Sequence, residues 1–193
     1  KVTYIRDISG NENHYHNLST SISPTYRASS LNSQPVLEFS GAQFLSGAFV
    51  VPTGSSARSF AFVVQNTVSG SFLAYGGMSS CGHVFQVYAS TNIKVDRNCG
   101  TYTSSASVTT AAKVYVVIFN GSTLNIYENG VSVFSGAASF NSNSSIGLKL
   151  GANYLGTSTF LNGDIAEFMA FNSALSGSDR AAVESYLSTK FGL

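Results

Sequence analysis

Apolar and polar residues alternate in short blocks along most of this chain, and glycine, asparagine or serine separates the blocks. The clearest block runs from Lys113 to Ser135, where β-branched and aromatic runs are divided by Asn120-Gly121 and Asn129-Gly130. Asn-Gly is a strong hairpin signal because a type I′ turn needs a positive φ at both central residues. The block therefore predicts a three-stranded antiparallel meander.

Further strands are predicted where short runs of β-branched and aromatic residues recur between turn residues. These runs are Val36–Phe39, Ser59–Gln65, Ser71–Tyr75, His83–Tyr88, Ile93–Arg97, Ile146–Gly151 and Gly163–Phe171. In the second run Phe60 and Phe62 alternate with Ser59 and Ala61, which suits a strand with one buried face. Short strands without strand–helix–strand alternation favour an antiparallel β-sandwich.

A helical periodicity follows near the C-terminus. Ser176 is a candidate N-cap with Asp179 three residues later, which approximates a capping box. The helix is predicted from Gly177 to Lys190, and Gly192 stops it. One apolar stripe is formed by Val183, Tyr186, Leu187 and Phe191. We expect this stripe to dock on the sandwich, with binding of a partner protein as the alternative.

Both ends of the chain carry motifs of a known family. The tail has Phe160-Leu-Asn-Gly-Asp-Ile-Ala-Glu167, then Asn172-Ser-Ala-Leu-Ser176, then Tyr186-Leu-Ser-Thr-Lys-Phe-Gly-Leu193. The N-terminal part has Asp7-Ile-Ser-Gly-Asn11 and Leu31-Asn-Ser-Gln-Pro-Val-Leu-Glu-Phe-Ser-Gly41, followed by Phe44-Leu45. The chain resembles the laminin-G-like and pentraxin-like branch of the concanavalin A-like superfamily. This resemblance implies an all-β jelly roll with one short C-terminal helix, spanning residues 1–193 as a single domain.

The fold that the resemblance implies hosts lectins, adhesins, sugar-active enzymes and structural modules, so it does not decide the function. The amino-acid composition limits which classes of ligand are expected. Charged residues are 10% of the 193, against about 25% in typical soluble domains, while hydrophobic residues are 44%. The surface must therefore be rich in Ser, Thr, Asn, Gln and Gly, which suits ligands bound through hydrogen bonds and ring stacking.

Charge and hydropathy exclude two classes of partner. The net charge is +1 and no run of Lys or Arg occurs, so we expect no nucleic acid partner. No stretch approaches about 18 uninterrupted apolar residues, so we expect no membrane span. Because Lys1 is not an initiator Met, a processed chain or an excised domain is expected.

The two cysteines, Cys81 and Cys99, flank a segment that reads as two strands about a turn at residues 89–92. A hairpin of that length brings its ends together, which a disulfide requires. A pair of reactive thiols is the alternative. The disulfide would imply an oxidising compartment.

Catalytic signatures are weak. Sugar hydrolases of this fold carry carboxylates at alternate positions of one strand, and the closest pair here is Asp164 and Glu167. Their odd separation predicts opposite faces of a regular strand, so they should not act together. A polysaccharide lyase would need a group such as His83, Gln86 and Tyr88, but the expected strand motifs are missing. Serine-hydrolase, phosphate-loop, dinucleotide and zinc-protease motifs are also absent from the sequence.

The N-terminal loop is a candidate calcium site. Asp7, Ser9, Asn11 and Asn13 offer side-chain oxygens at alternate positions, which calcium favours. Asp and Asn also shape turns by bonding their own backbone, so a purely structural role is the alternative. His14 and His16 could share one strand face, but without a third metal ligand we expect a surface pair. No other cofactor is expected.

We expect a non-catalytic binding module at an extracellular, cell or virion surface that recognises a glycan or a surface protein. The alternative is a structural or decoration module of a virion, phage appendage or fibre, held by contacts with other domains or subunits. A sugar site would combine aromatic rings with polar side chains. The candidate ligand contacts are Tyr75, His83, Tyr88, Asn153 and Tyr154.

Overall fold

The computed structural model describes residues 1–47, 51–77 and 80–193. Antiparallel strands dominate the described chain, and an α-helix, α1 (Gly177–Phe191), ends it. A 3₁₀ turn covers Thr20–Ile22. The strands are β1 (Tyr4–Ile5), β2 (Tyr15–His16), β3 (Thr25–Leu31), β4 (Gln34–Ser40), β5 (Leu45–Gly47), β6 (Arg58–Gly76), β7 (Val84–Ala89), β8 (Asn92–Asp96), β9 (Thr101–Ser107), β10 (Lys113–Phe119), β11 (Thr123–Glu128), β12 (Val131–Ala137), β13 (Lys149–Leu150) and β14 (Asn162–Phe171).

The strands form two layers that share β6. The first layer, sheet A, has the order β1-β2-β5-β13-β6-β7-β8-β9. The second layer, sheet B, has the order β3-β4-β14-β6-β10-β11-β12. All of these pairings are antiparallel. The predicted antiparallel jelly-roll sandwich with a short C-terminal helix is confirmed.

Strand β6 merges two elements that the sequence presents as separate. The runs Ser59–Gln65 and Ser71–Tyr75 belong to one strand of 19 residues. Its first half pairs in sheet B and its second half in sheet A. Asn66 and Gly70 have positive φ values of 51° and 107° at the crossing, where the strand bends from one layer into the other. The bend explains why a Gly- and Asn-containing segment does not end the strand.

The core lies between the two layers and is mainly aromatic. Phe60, Phe62 and Phe72 of β6 are fully buried in it. The opposite face of β6 in sheet B is also buried, because Ala61 and Val63 pack under α1. The sequence had predicted one buried face for this strand. The helix covers the other face and makes the strand central.

Helix α1 begins and ends with the predicted signals. The Ser176 hydroxyl accepts a 3.1 Å hydrogen bond from the backbone N–H of Asp179, and Gly192 adopts the left-handed conformation with φ of 66°. Leu187 and Phe191 pack on the outer face of sheet B. Tyr186, predicted on the same stripe, is instead 46% exposed. The docking interpretation is confirmed, with a narrower stripe than predicted.

The meander is confirmed, but only one of its Asn-Gly turns has the predicted geometry. Asn129 and Gly130 have φ of 47° and 81°, as a type I′ turn requires. At the other turn Gly121 has a positive φ of 106°, whereas Asn120 does not. The Asn120 side-chain oxygen accepts a 2.8 Å bond from the N–H of Thr123 and closes a longer loop.

Candidate functional site

A polar cleft of about 310 Å³ opens beside His83, the residue that precedes β7. Every residue around it is small or polar, and no carboxylate lines it. The lining residues are Thr53, Gly54, His83, Asn141, Ser142, Asn143 and Ser144. We call this the His83 cleft. Of the five predicted ligand contacts, only His83 lies in it.

The rim of the His83 cleft is tied together by covalent and backbone bonds. Cys81 and Cys99 form a disulfide with a Cα–Cα distance of 5.1 Å, as predicted, so the alternative of reactive thiols is wrong. Next to it the Gly82 N–H donates to the Arg97 carbonyl at 2.8 Å, and the Gly82 carbonyl accepts from Asn141 at 2.9 Å. The cleft wall therefore joins the β7–β8 hairpin to the segment that follows β12.

Two asparagine amides hold the His83 ring. The Nδ2 of Asn143 lies 3.1 Å from Nδ1 of His83, and the Nδ2 of Asn141 lies 3.4 Å from its Nε2. The Oδ1 of Asn143 accepts from the Ser145 N–H, which sets the orientation of that amide. Nδ1 is then an acceptor, so we assign the proton of the neutral imidazole to Nε2. Asn141 can meet this proton only by turning its own oxygen toward the ring.

A fully buried arginine lies behind the cleft. The Arg58 guanidinium is 0% exposed and donates to the Pro52 carbonyl at 2.8 Å and the Gly54 carbonyl at 2.6 Å. It also donates to the hydroxyls of Tyr75, at 2.7 Å, and Ser142. Gly54 and Ser142 also line the cleft, so the guanidinium bonds directly to two residues of the cleft wall. No sequence pattern singled out Arg58 as a functional residue.

Tyr75, which the sequence predicted as a ligand contact, lies in the core instead. Its side chain is fully buried between the sheets, where it stacks on Phe85. Burial raises the pKa of its hydroxyl, and the nearby Arg58 charge opposes that shift. Tyr75 supports Arg58 from inside the core and presents no surface to a ligand.

Three further candidates lie on or near the outer face of sheet A. Tyr88 is half-buried there, opposite Lys94. Tyr154 is only 6% exposed because it packs on Ala74 and Val84, so its ring is no open stacking platform. Asn153 closes its own loop, donating to the Ser158 hydroxyl and accepting from the Thr157 N–H, each at 2.9 Å. The structure does not gather these residues with His83 into one site.

Lys149 is a residue of this face that sequence reasoning missed. It stands opposite Ala74, which in turn stands opposite Gln86, so the three form a row across sheet A. Burial lowers the pKa of the Lys149 ammonium group. Its flanking residues Leu148 and Leu150 are buried. The alternation of apolar and polar residues over 148–150 could have predicted that Lys149 faces outward.

The prediction that Asp164 and Glu167 lie on opposite faces is wrong. Asp164 pairs with Gln65 and Glu167 pairs with Val63, because a bulge between Ile165 and Glu167 adds one residue to β14. Partners two residues apart share a face, so both carboxylates point to the same side of sheet B. Each is already engaged, however.

The hydrogen bonds of these two carboxylates are structural. Asp164 accepts from the amides of Gln65 at 3.1 Å and Asn66 at 2.8 Å. Glu167 forms a 2.7 Å ion pair with Lys190 of the helix. A second cleft, of about 410 Å³, lies beside Asp164 and also includes Glu38, which is paired with Arg27 at 2.7 Å. Both Asp164 and Glu167 are therefore already bonded to partners within the chain.

The N-terminal loop is organised by Asp7. Its carboxylate accepts from the Ser9 N–H and hydroxyl, each at 2.8 Å, and from the Asn13 N–H at 3.0 Å. The bond from the Ser9 backbone is the main reason that the pKa of Asp7 is lowered. Asn11 donates its side-chain amide to the Ser9 hydroxyl. These bonds are the turn-forming alternative of the sequence prediction, and they use lone pairs that calcium would need.

Comparison with known proteins agrees with the architecture. Two antiparallel layers with a single C-terminal helix among the described residues define a jelly-roll sandwich. A family model of the concanavalin A-like lectin/glucanases superfamily, Laminin_G_3, matches residues 28–179. The chain belongs to this superfamily. A search of the curated proteins finds no sequence match.

Three solved structures illustrate the range of the fold. A GH54 α-L-arabinofuranosidase is similar with a TM-score of 0.77 and 15% identity over 98% of this chain and 51% of that one. Domain 4 of AbnA, an extracellular GH43 arabinanase from Geobacillus stearothermophilus solved with arabinotriose, has a TM-score of 0.64 at 14% identity, covering 84% and 81%. The CBM40 domain of a Ruminococcus gnavus sialidase has 0.56 at 15%, covering 68% and 84%. The chain spans about half the length of the arabinofuranosidase. At these identities the likeness concerns the fold alone.

Proposed function

We propose that this chain is a non-catalytic glycan-binding module of a secreted or surface protein, and that the His83 cleft is its ligand site. The observation that carries the proposal is the lining of the cleft. Amides, hydroxyls and an imidazole converge there with no carboxylate among them. Such groups match the alternating donors and acceptors of sugar hydroxyls.

The rigidity of the rim supports binding. The disulfide and the backbone bonds of Gly82 and Asn141 fix the side chains before a ligand arrives. A preformed site loses less conformational entropy when it binds. Binding modules recur among proteins with a similar fold, including the arabinanase domain solved with arabinotriose and CBM40.

The proposed surface location rests on the disulfide, since such bonds persist in oxidising compartments. Within the described residues, no helix is long and apolar enough to cross a membrane. Attachment to other domains or subunits of a larger assembly is part of the same proposal.

Binding is tested by a glycan array followed by titration calorimetry. Asn141→Ala removes an amide from the cleft while the backbone bond to Gly82 stays, so affinity should fall about tenfold. Asn162→Ala, the same change at an exposed position of β14, is the matched control and should bind like the wild type. If no neutral, uronic or sialylated sugar bound, the proposal would be wrong, and the structural role through protein contacts would be favoured.

The absence of catalysis is tested with labelled arabino-, xylo- and galacturono-oligosaccharides. We expect neither new reducing ends nor unsaturated products. Glu38 and Asp164 are directly opposite on adjacent strands and share the second cleft, so they are the pair that a hydrolase would use. Turnover that disappears in Glu38→Gln and Asp164→Asn would show that the chain is an enzyme.

A further inference from the structure

We propose that the His83 cleft selects glycans that carry a carboxylate, such as uronic or sialic acids. This inference rests on the proposed function and adds the ligand class. Its basis is the charge of Arg58, which the folded chain does not neutralise.

The buried guanidinium has no counter-ion. Among the described residues, no carboxylate lies within 4.0 Å of Arg58, and none of residues 48–50 and 78–79 is acidic. Its hydrogen-bond acceptors are two carbonyls and two hydroxyls, all neutral. Its Nε atom is buried without any acceptor. Dipoles stabilise a buried charge, but they leave its net value of +1 in place.

The surroundings direct the field of this charge toward the cleft. On the core side the guanidinium lies 5.4 Å from the Phe85 ring centroid and 5.1 Å from that of Phe119. Such apolar groups screen poorly, and low-dielectric walls focus the potential through the polar opening. The opening begins at Gly54 and Ser142, both of which accept bonds from Arg58. An anion in the His83 cleft would thus lie against wall residues that bond directly to a cation.

A second arginine, Arg97, bonds to the rim of the cleft through its backbone. The carbonyl of Arg97 holds Gly82 of the rim, and its guanidinium lies 6.0 Å from the Tyr102 ring centroid. No ion pair neutralises Arg97 within the described chain. Neither arginine has an ion-pair partner among the described residues, and the described lining of the cleft contains no carboxylate. A carboxylated sugar can supply the missing negative charge while its hydroxyls bond to the asparagine amides.

The test compares sugars that differ only in charge. Wild-type protein is titrated with an oligogalacturonate and its methyl ester, and separately with sialyllactose and lactose. We expect the charged member of one pair to bind about tenfold or more tightly. If the galacturonate pair shows this difference in affinity, the carboxylate belongs to a uronic acid; if the lactose pair shows it, the carboxylate belongs to a sialic acid. The preference should shrink as salt rises from 50 to 500 mM, because screening weakens the attraction.

Three variants test where the preference for the charged sugar arises. Arg58→Met should make the affinities for the charged and the neutral member of the pair equal. Ser144→Asp places a carboxylate at an exposed rim position and should also abolish the preference, whereas Ser144→Asn, with the same shape and no charge, should keep it. The Ser144 pair answers the question even if Arg58→Met does not fold.

The outcomes separate the two proposals. Equal affinity for charged and neutral members in the wild type would overturn the inference and leave the glycan-binding function standing. A preference that survives in Ser144→Asp would overturn it as well. No binding to any of the four sugars, with binding to another sugar of the glycan array, would overturn the inference alone. No binding to any sugar of the array would overturn the proposed function, and the selectivity with it.

Discussion

Arg58 donates a 2.7 Å hydrogen bond to the hydroxyl of Tyr75, and both side chains are fully buried between the sheets. Tyr75→Phe removes one of four acceptors of a buried cation. We expect the free energy of unfolding to fall by about 1.5–3 kcal/mol, the range for hydrogen bonds to charged groups. Urea unfolding measures it. Tyr88→Phe, at a half-buried position of sheet A, is the control and should change stability by less than about 0.5 kcal/mol.

The disulfide should contribute both stability and cleft shape. It joins residues 18 apart, for which loop-closure entropy gives about 3 kcal/mol. A double variant, Cys81→Ser with Cys99→Ser, should therefore melt about 6–12 °C lower in a calorimetric scan. Wild type treated with a reducing agent should show the same shift. A double variant that melts like the oxidised wild type would contradict this account.

Gly70 is required by contact as well as by conformation. A Cβ built there would lie 2.2 Å from the Phe160 carbonyl oxygen, and φ is 107°. Gly41 also has a positive φ, 84°, but nothing lies within 4 Å of its Cβ position. Gly41→Ala should cost about 1–2 kcal/mol from the backbone alone. Gly70→Ala should cost clearly more or prevent folding. Equal losses, measured by urea unfolding, would mean that the Phe160 contact relaxes without cost.

The N-terminal loop should be pH-sensitive and calcium-independent. The Asp7 pKa is lowered below its ordinary value of 3.8 by bonds from Ser9 and Asn13. Stability from this ionised carboxylate is present above pH 3.8 and is lost as the pH falls through the lower folded value. Asp7→Asn should therefore melt below the wild type at pH 7, with the gap closing below about pH 4.

Calcium is tested on the same loop with a chelator. Because three donors already occupy the Asp7 carboxylate, we expect equal melting temperatures with calcium and with chelator. A ligand bound only by the native state would raise the melting temperature. A calcium-dependent rise that is absent in Asp7→Asn would establish the ion at this loop.

Local signals were sufficient to predict the helix and the meander. The Ser176 cap, the Gly192 stop and the Asn129-Gly130 turn each depend on neighbouring residues alone. The motif resemblance at the two ends of the chain supplied the sandwich, which no local signal defines. The disulfide followed from the hairpin that it closes.

Side-chain placement was harder to predict because it depends on distant strands. The bulge in β14 is created by pairing with β6, so the parity of Asp164 and Glu167 could not be read from β14 alone. In the sequence, Tyr75 and Tyr154 cannot be told from exposed tyrosines, and only the packing of the folded chain shows that they are buried. Arg58 at a strand start resembles a surface cation until its carbonyl partners are assembled around it.

The continuity of β6 has a mechanical consequence. Since one backbone of 19 residues runs through both sheets, the layers cannot slide or hinge apart without breaking that strand. Arg58 is the first residue of this strand, and Gly76, beside His83, is the last. Ligand capture should therefore follow lock-and-key behaviour, with interface backbone shifts of about 1 Å or less. Binding should follow one-step kinetics, without a slow conformational step after the ligand has bound.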